Sequence, residues 1–119
     1  FNNIGIDGKN HMIFNWFEWR RDNKKEYTKI HPTQKPVNVL KKLIEIFTDE
    51  GDVVIDPVAG SASTLRACAE LKRNCYGFEI KKEFYTKAKQ EMISDEILEK
   101  LFNRSQLTID DLMEAKDEY

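Results

Sequence analysis

Two stretches of the chain bring ligand-binding chemistry together. The first is DPVAGSAST, residues 56–64. Asp56 closes a short apolar, β-branched run, small residues then let a ligand approach the backbone, and a helix start follows whose free N–H groups suit an anion such as a carboxylate. The second is Glu79, at the end of NCYGFEI and about twenty residues further on, where a carboxylate can accept both hydroxyls of a ribose. In open α/β sheets ligands bind outside the carboxyl ends of the strands, so the pair predicts an adenosine-type pocket. A small-residue loop by itself equally serves tight packing. The spacing to Glu79 favours the ligand reading, because an acidic group at the end of a buried strand carries a desolvation cost. A dinucleotide fits less well, since the loop lacks GxGxxG and holds only Gly60.

The elements that must carry these groups are legible in outline. HMIFNWFEWR, residues 11–20, is dense in aromatics without helical periodicity and predicts a strand buried on both faces; RRDNKKEYTK reads as a polar connection. After IHPTQKP a helix can begin near Pro36, and Val37, Leu40, Leu43, Ile44 and Phe47 form one apolar stripe expected to face a sheet. TDEG ends that helix and DVVID predicts a buried parallel strand. LRACAELKR then suits a helix with Leu65, Cys68, Ala69 and Leu71 inward, NCYGFEI a second strand, and KKEFYTKAKQEMI a helix with Phe84, Ala88 and Met92 on one side. Strand, helix, strand, helix in that order builds parallel strands by right-handed crossovers, an α/β sheet of Rossmann type with helices packed on it. The remainder predicts two short acidic helices broken around Asn103–Gln106, with Ser94 and Thr108 as N-caps. It serves as a packed or solvated appendage or as a partner-binding helix. Three segments follow: 1–29, strand and basic connection; 30–93, an α/β core; and 94–119, the acidic helical tail.

Composition bounds the reading. The 119 residues are 40% hydrophobic, 34% charged and 11% aromatic, as expected of a globular domain with one modest core. No run approaches the roughly 18 to 20 apolar residues of a bilayer span, and FNNIGIDGKN has no signal-peptide character. No membrane association is expected. Cys68 and Cys75 have neither CxxC spacing nor a neighbouring His, so no metal site and no disulfide framework is expected, and a reducing, cytoplasmic setting fits best. The formal charge is −2, but residues 1–42 carry 9 Lys or Arg against 4 Asp or Glu, while residues 43–119 carry 10 against 17. A polyanion would therefore meet the N-terminal third first. A chain that begins with Phe is expected to be a piece of something longer.

HPTQKP at 31–36 followed by an amphipathic helix, then GDVVIDPVAGSAST at 51–64, LKRNCYGFEI at 71–80 and FYTKAKQEM at 84–92, resembles the C-terminal half of the amino-group DNA methyltransferases. The resemblance covers residues 30 to about 92 and points to the branch whose catalytic motif lies upstream. It implies a partial class I methyltransferase fold with a three-layer sheet, S-adenosylmethionine as cofactor, and DNA as partner through the full-length protein. In that family the DPFxGSGTT loop holds the methionine end of the cofactor, which carries over to Asp56, Val58, Gly60, Ser61, Ser63 and Thr64. Glu79 falls on the ribose-binding acid. His31, Thr33 and Lys35 fall in the segment that closes the site from the other side. Lys35 and the hydroxyls of Thr33, Ser63 and Thr64 can meet a carboxylate, and Asp56 can stabilise a cationic amino group.

Three departures stand against the family pattern. Val58 replaces an aromatic Phe, Ala62 and Ser63 replace Gly-Thr, and no Pro-Pro-aromatic motif exists, since the three prolines are Pro32, Pro36 and Pro57. If position 62 needs a left-handed backbone, Ala there costs about 1 kcal/mol or more relative to Gly. Because the Pro-Pro motif receives the hydrogens of the target amino group and stacks the flipped base, no catalytic residue is assigned to this chain. The function expected is the cofactor-binding portion of an enzyme methylating adenine N6, with cytosine N4 second, in DNA methylation and restriction-modification. The isolated chain is expected to be inactive. The alternatives are a non-enzymatic fold remnant or assembly module, half of a split methyltransferase completed by the missing N-terminal half or a homo-oligomer, and a small-molecule methyltransferase, against which HPTQKP argues.

Overall fold

The computed structural model describes residues 16–104. Pro36 opens α1 (Val37–Phe47) but offers no side-chain acceptor to the helix start. Asp22 does so instead: its Oδ2 accepts the Val37 N–H at 2.6 Å and its Oδ1 the Asn38 N–H at 3.2 Å. A carboxylate at a helix N-terminus satisfies orphan donors and complements the helix dipole. Thr48 ends α1 by returning both its N–H and its hydroxyl to Ile44 O. Gly51, at φ 84, then turns the chain where a side chain would be strained.

Strands β1 (Val53–Asp56) and β2 (Asn74–Gly77) pair in parallel, Val53 opposite Asn74 and Asp56 opposite Gly77. The ladder runs one residue further, with Phe78 N–H donating to Asp56 O at 3.0 Å. Between them α2 (Ser63–Glu70) packs on both strands, and α1 lies chiefly against α2. α3 (Lys82–Lys87) runs into a π-helical turn, Ala88–Met92, and α4 (Asp95–Arg104) also meets α2. Met92, Val37 and Cys68 are the largest fully buried side chains. A hydrogen bond from Cys75 on β2 holds the Cys68 thiol below its ordinary pKa. Among the described residues no helix is long and apolar enough to cross a membrane.

Gly77 sets the approach of α2 to the sheet. A Cβ there would stand 2.5 Å from Leu65 Cδ1 and 3.1 Å from Ala59 Cβ. Gly77→Ala is therefore expected to destabilise the fold by about 1–3 kcal/mol through overpacking. Urea unfolding measures it; unchanged stability would mean that Leu65 has room to turn away.

The structure corrects three expectations. Trp16–Arg20 is not a buried strand: it has no regular structure, and Trp16 and Trp19 are 68% and 55% exposed. Aromatic density marked the segment as apolar, but no strand among the described residues offers it a ladder to join; residues 11–15 lie outside the described residues. The α1 stripe meets α2 more than the sheet, which leaves Leu43 and Phe47 exposed. Among the described residues the sheet has no third layer. Its described helices cover one face, and Val53, Ile55, Tyr76 and Phe78 stand 41–64% exposed on or beside the other. In the tail, Ser94 Oγ accepts the Ile97 N–H at 3.4 Å and caps α4 as expected. The second helix and its cap at Thr108 lie outside the described residues.

Candidate cofactor site

The loop after β1 is shaped by its own backbone bonds. Asp56 Oδ1 accepts the Val58 N–H at 3.0 Å, which folds the chain back beneath the strand end. Ala59 N–H donates to Phe78 O at 2.8 Å and Ala62 N–H to Ala59 O at 2.8 Å, so the loop is tied to β2 and closed into a turn. Gly60 and Ala62 both occupy the left-handed region, at φ 54 and φ 63. Position 62 thus has the backbone that favours glycine, and Ala62 carries the strain. Ser61 and Ser63 are buried, their hydroxyls 2.8 Å apart, so one of the two keeps its proton for another acceptor.

Glu79 joins the two strand ends. Its Oε2 accepts the Gly60 N–H at 2.9 Å and its Oε1 the Lys81 N–H at 2.9 Å. Each oxygen retains a further lone pair, so a diol can still be received. Opposite it lies the HPTQKP turn. His31 O accepts the Gln34 N–H, and the Gln34 side chain bonds Ile30 N–H and Thr28 O, which locks the turn from within. His31 Nδ1 accepts the Thr33 N–H at 3.2 Å, which leaves the ring proton on Nε2. The His31 ring packs on Phe84 with centroids 4.3 Å apart. A Cβ on Gly60 would lie 3.9 Å from His31 Cδ2, so the turn stands directly over the loop.

A buried network fixes that turn to the core. Tyr27 donates its hydroxyl to both oxygens of Glu70, at 2.7 and 2.9 Å, with the Arg66 guanidinium 5.1 Å above its ring. Burial and then the Glu70 carboxylate push the Tyr27 phenol well above its ordinary pKa. Arg66 in turn donates to Met92 O at 2.8 Å. One phenol thereby couples the chain just before HPTQKP to α2 and the π-helical turn.

His31, Thr33, Lys35, Asp56, Val58, Gly60, Ser61, Ser63, Thr64 and Glu79 all line one cavity of about 360 Å³. That volume lies in the range of small-molecule sites. Three segments separated in sequence therefore converge on one space, with Asp56 and Glu79 supplying negative charge and Lys35 and Lys81 positive. Phe84, Ile80 and Lys81 also line it and were not expected there. Phe84 begins an apolar helix stripe and reads as core. The sequence signal for Ile80 is an isolated apolar residue immediately after the site acid; it is 98% exposed.

The sequence profile of the N6/N4 DNA methylases matches residues 6–90, spanning every segment of this cavity. The chain belongs to that DNA methylase family. The methylase chain is 34% identical over 91 residues to the type II methyltransferase M.HpaI of Haemophilus parainfluenzae, an overlap of 76% of this chain and 28% of M.HpaI. It is 43% identical over 54 residues to the DNA adenine methyltransferase YhdJ of Escherichia coli K12, covering 45% of this chain and 18% of YhdJ. The crystal structure of an M1.HpyAVI–SAM complex superposes with a TM-score of 0.52 at 42% identity, over 55% of this chain and 32% of that one. The chain thus spans less than a third of the relatives it matches.

Proposed function

We propose that these residues are the S-adenosylmethionine-binding part of a DNA methyltransferase acting on the exocyclic amino group of adenine (N6) or cytosine (N4), with adenine favoured. The observation that carries the reading is the convergence of the HPTQKP turn, the Asp56–Thr64 loop and Glu79 on one cavity. The likeness to M1.HpyAVI, a protein crystallised with SAM, supports the cofactor, and the likeness to YhdJ, a DNA adenine methyltransferase, supports the base.

The donor set fits the cofactor. Glu79 would accept the ribose hydroxyls, its orientation fixed by Gly60 and Lys81 N–H. Lys35, Thr33, Thr64 and whichever of Ser61 and Ser63 keeps its proton would meet the carboxylate, and Asp56 the cationic amino group. His31 and Phe84 form a wall above Gly60. When bound, S-adenosylmethionine supplies an activated methyl group for the amino nitrogen of an extruded base. This chain has no Pro-Pro-aromatic motif to accept the hydrogens that the nitrogen sheds.

The sheet face left uncovered among the described residues favours one further element of the reading, that an N-terminal half supplied by a longer protein or a separate chain completes the fold and the catalytic site. Parallel sheets are ordinarily buried on both faces, and Val53, Ile55, Tyr76 and Phe78 offer an apolar surface to a covering segment. A second copy of the chain is the other occupant such a face would accept.

The test is calorimetric titration of the chain with S-adenosylmethionine beside incubation with labelled cofactor and mixed-sequence DNA. The expected result is cofactor binding without label transfer. Absence of binding by the folded chain would overturn the cofactor assignment, and label in DNA above background would show that the chain holds catalytic groups.

A further inference from the structure

A second cavity, of about 760 Å³, lies on the other side of the HPTQKP turn, and Thr33, Gln34 and Lys35 line both. It is bounded by Arg21, Lys24, Lys29 and Lys35, and by the indole of Trp19. None of these four cations forms an ion pair among the described residues. The one carboxylate lining the groove, Asp22, has both oxygens engaged with the first turn of α1. The surplus of basic residues in the first third of the chain is thus gathered, in part, into one groove with an aromatic face at its edge. Four clustered cations against the single carboxylate of Asp22 repel one another, and a polyanion relieves that repulsion.

We propose that this groove carries the sugar–phosphate backbone of the target DNA strand beside the extruded nucleotide. Arg21, Lys24 and Lys29 contact phosphates and Trp19 stacks on a neighbouring base. The inference rests on the function proposed above, which places the methyl donor across the shared turn. An exposed indole beside a row of cations is the pairing that single-stranded nucleic acid requires, a charged track for phosphates and a π-surface for bases. An acidic peptide would use the charges but has no need of the indole.

The test follows binding of the 119-residue chain to a fluorescent 20-nucleotide mixed-sequence single strand, by anisotropy, across a range of KCl concentrations. Each phosphate contact contributes about 0.7 to the slope of log affinity against log salt for a single strand. Lys24→Gln with Lys29→Gln is expected to flatten the slope by about 1.4. Trp19→Ala is expected to weaken binding about 5- to 150-fold at every salt concentration, with the slope unchanged. All variants should bind S-adenosylmethionine as wild type does, which also reports that they are folded. An unchanged slope in the lysine variant, no effect of Trp19→Ala, or equal affinity for poly-glutamate would overturn the proposal. Cofactor binding without DNA binding sinks the groove alone; DNA binding without cofactor binding sinks the cofactor assignment and leaves the groove a nucleic-acid surface.

Discussion

Glu79→Ala is expected to weaken S-adenosylmethionine binding by roughly 30- to 1000-fold. Two losses combine. The ribose hydroxyls lose a charged acceptor, and such hydrogen bonds contribute about 1.5–3 kcal/mol each before water replaces them. The Gly60 and Lys81 N–H groups, both held at 2.9 Å by this carboxylate, lose their anchor as well, which leaves the loop only its Ala59–Phe78 backbone tie to the end of β2. A net cost of about 2–4 kcal/mol follows, each 1.4 kcal/mol being tenfold. Glu79→Gln keeps the shape and one good acceptor but turns an amide N–H₂ toward one of the two backbone donors, and should fall between. Calorimetry on the three proteins decides it: equal affinities for wild type and Glu79→Ala would remove Glu79 from the pocket.

Val58→Phe is expected to act in the opposite direction, tightening cofactor binding about 5- to 30-fold. Val58 lines the cavity yet is 79% exposed, so a larger side chain has no packed core to disturb. A ring beside the ligand adds apolar contact and a stacking face of about 1–2 kcal/mol. Ala62→Gly, the companion change toward the family loop, should alter stability little. Glycine relieves the φ 63 backbone by about 1 kcal/mol. The lost Ala62 methyl is fully buried and costs about as much. Titration of Val58→Phe, with thermal unfolding of both single variants alongside, checks both statements. If Val58→Phe folds as wild type does and binds no more tightly, position 58 does not face the cofactor.

Local chemistry made much of this protein legible from its sequence. Pro36 marks the start of α1 because a missing N–H costs nothing there, and Gly51 the turn before β1 because only glycine adopts φ 84 without strain. The apolar β-branched run VVID marks a strand, and a carboxylate at each of two parallel strand ends shares one crevice. Those rules act within a few residues or follow from the right-handed crossover, so residue order was enough to bring Asp56 and Glu79 together.

What tertiary structure decided depends on partners distant in sequence. Asp22 caps a helix fifteen residues away, and Tyr27 reaches Glu70 across forty-three, so neither leaves a local signature. Aromatic density predicts a strand over residues 11–20, but a strand exists only where another backbone offers hydrogen bonds, and for the described part, Trp16–Arg20, none does among the described residues. The apolar strands likewise promised a sheet buried on both faces. Burial belongs to the assembly of layers and not to the strand, which is why Val53, Ile55 and Tyr76 read as core and stand in the open.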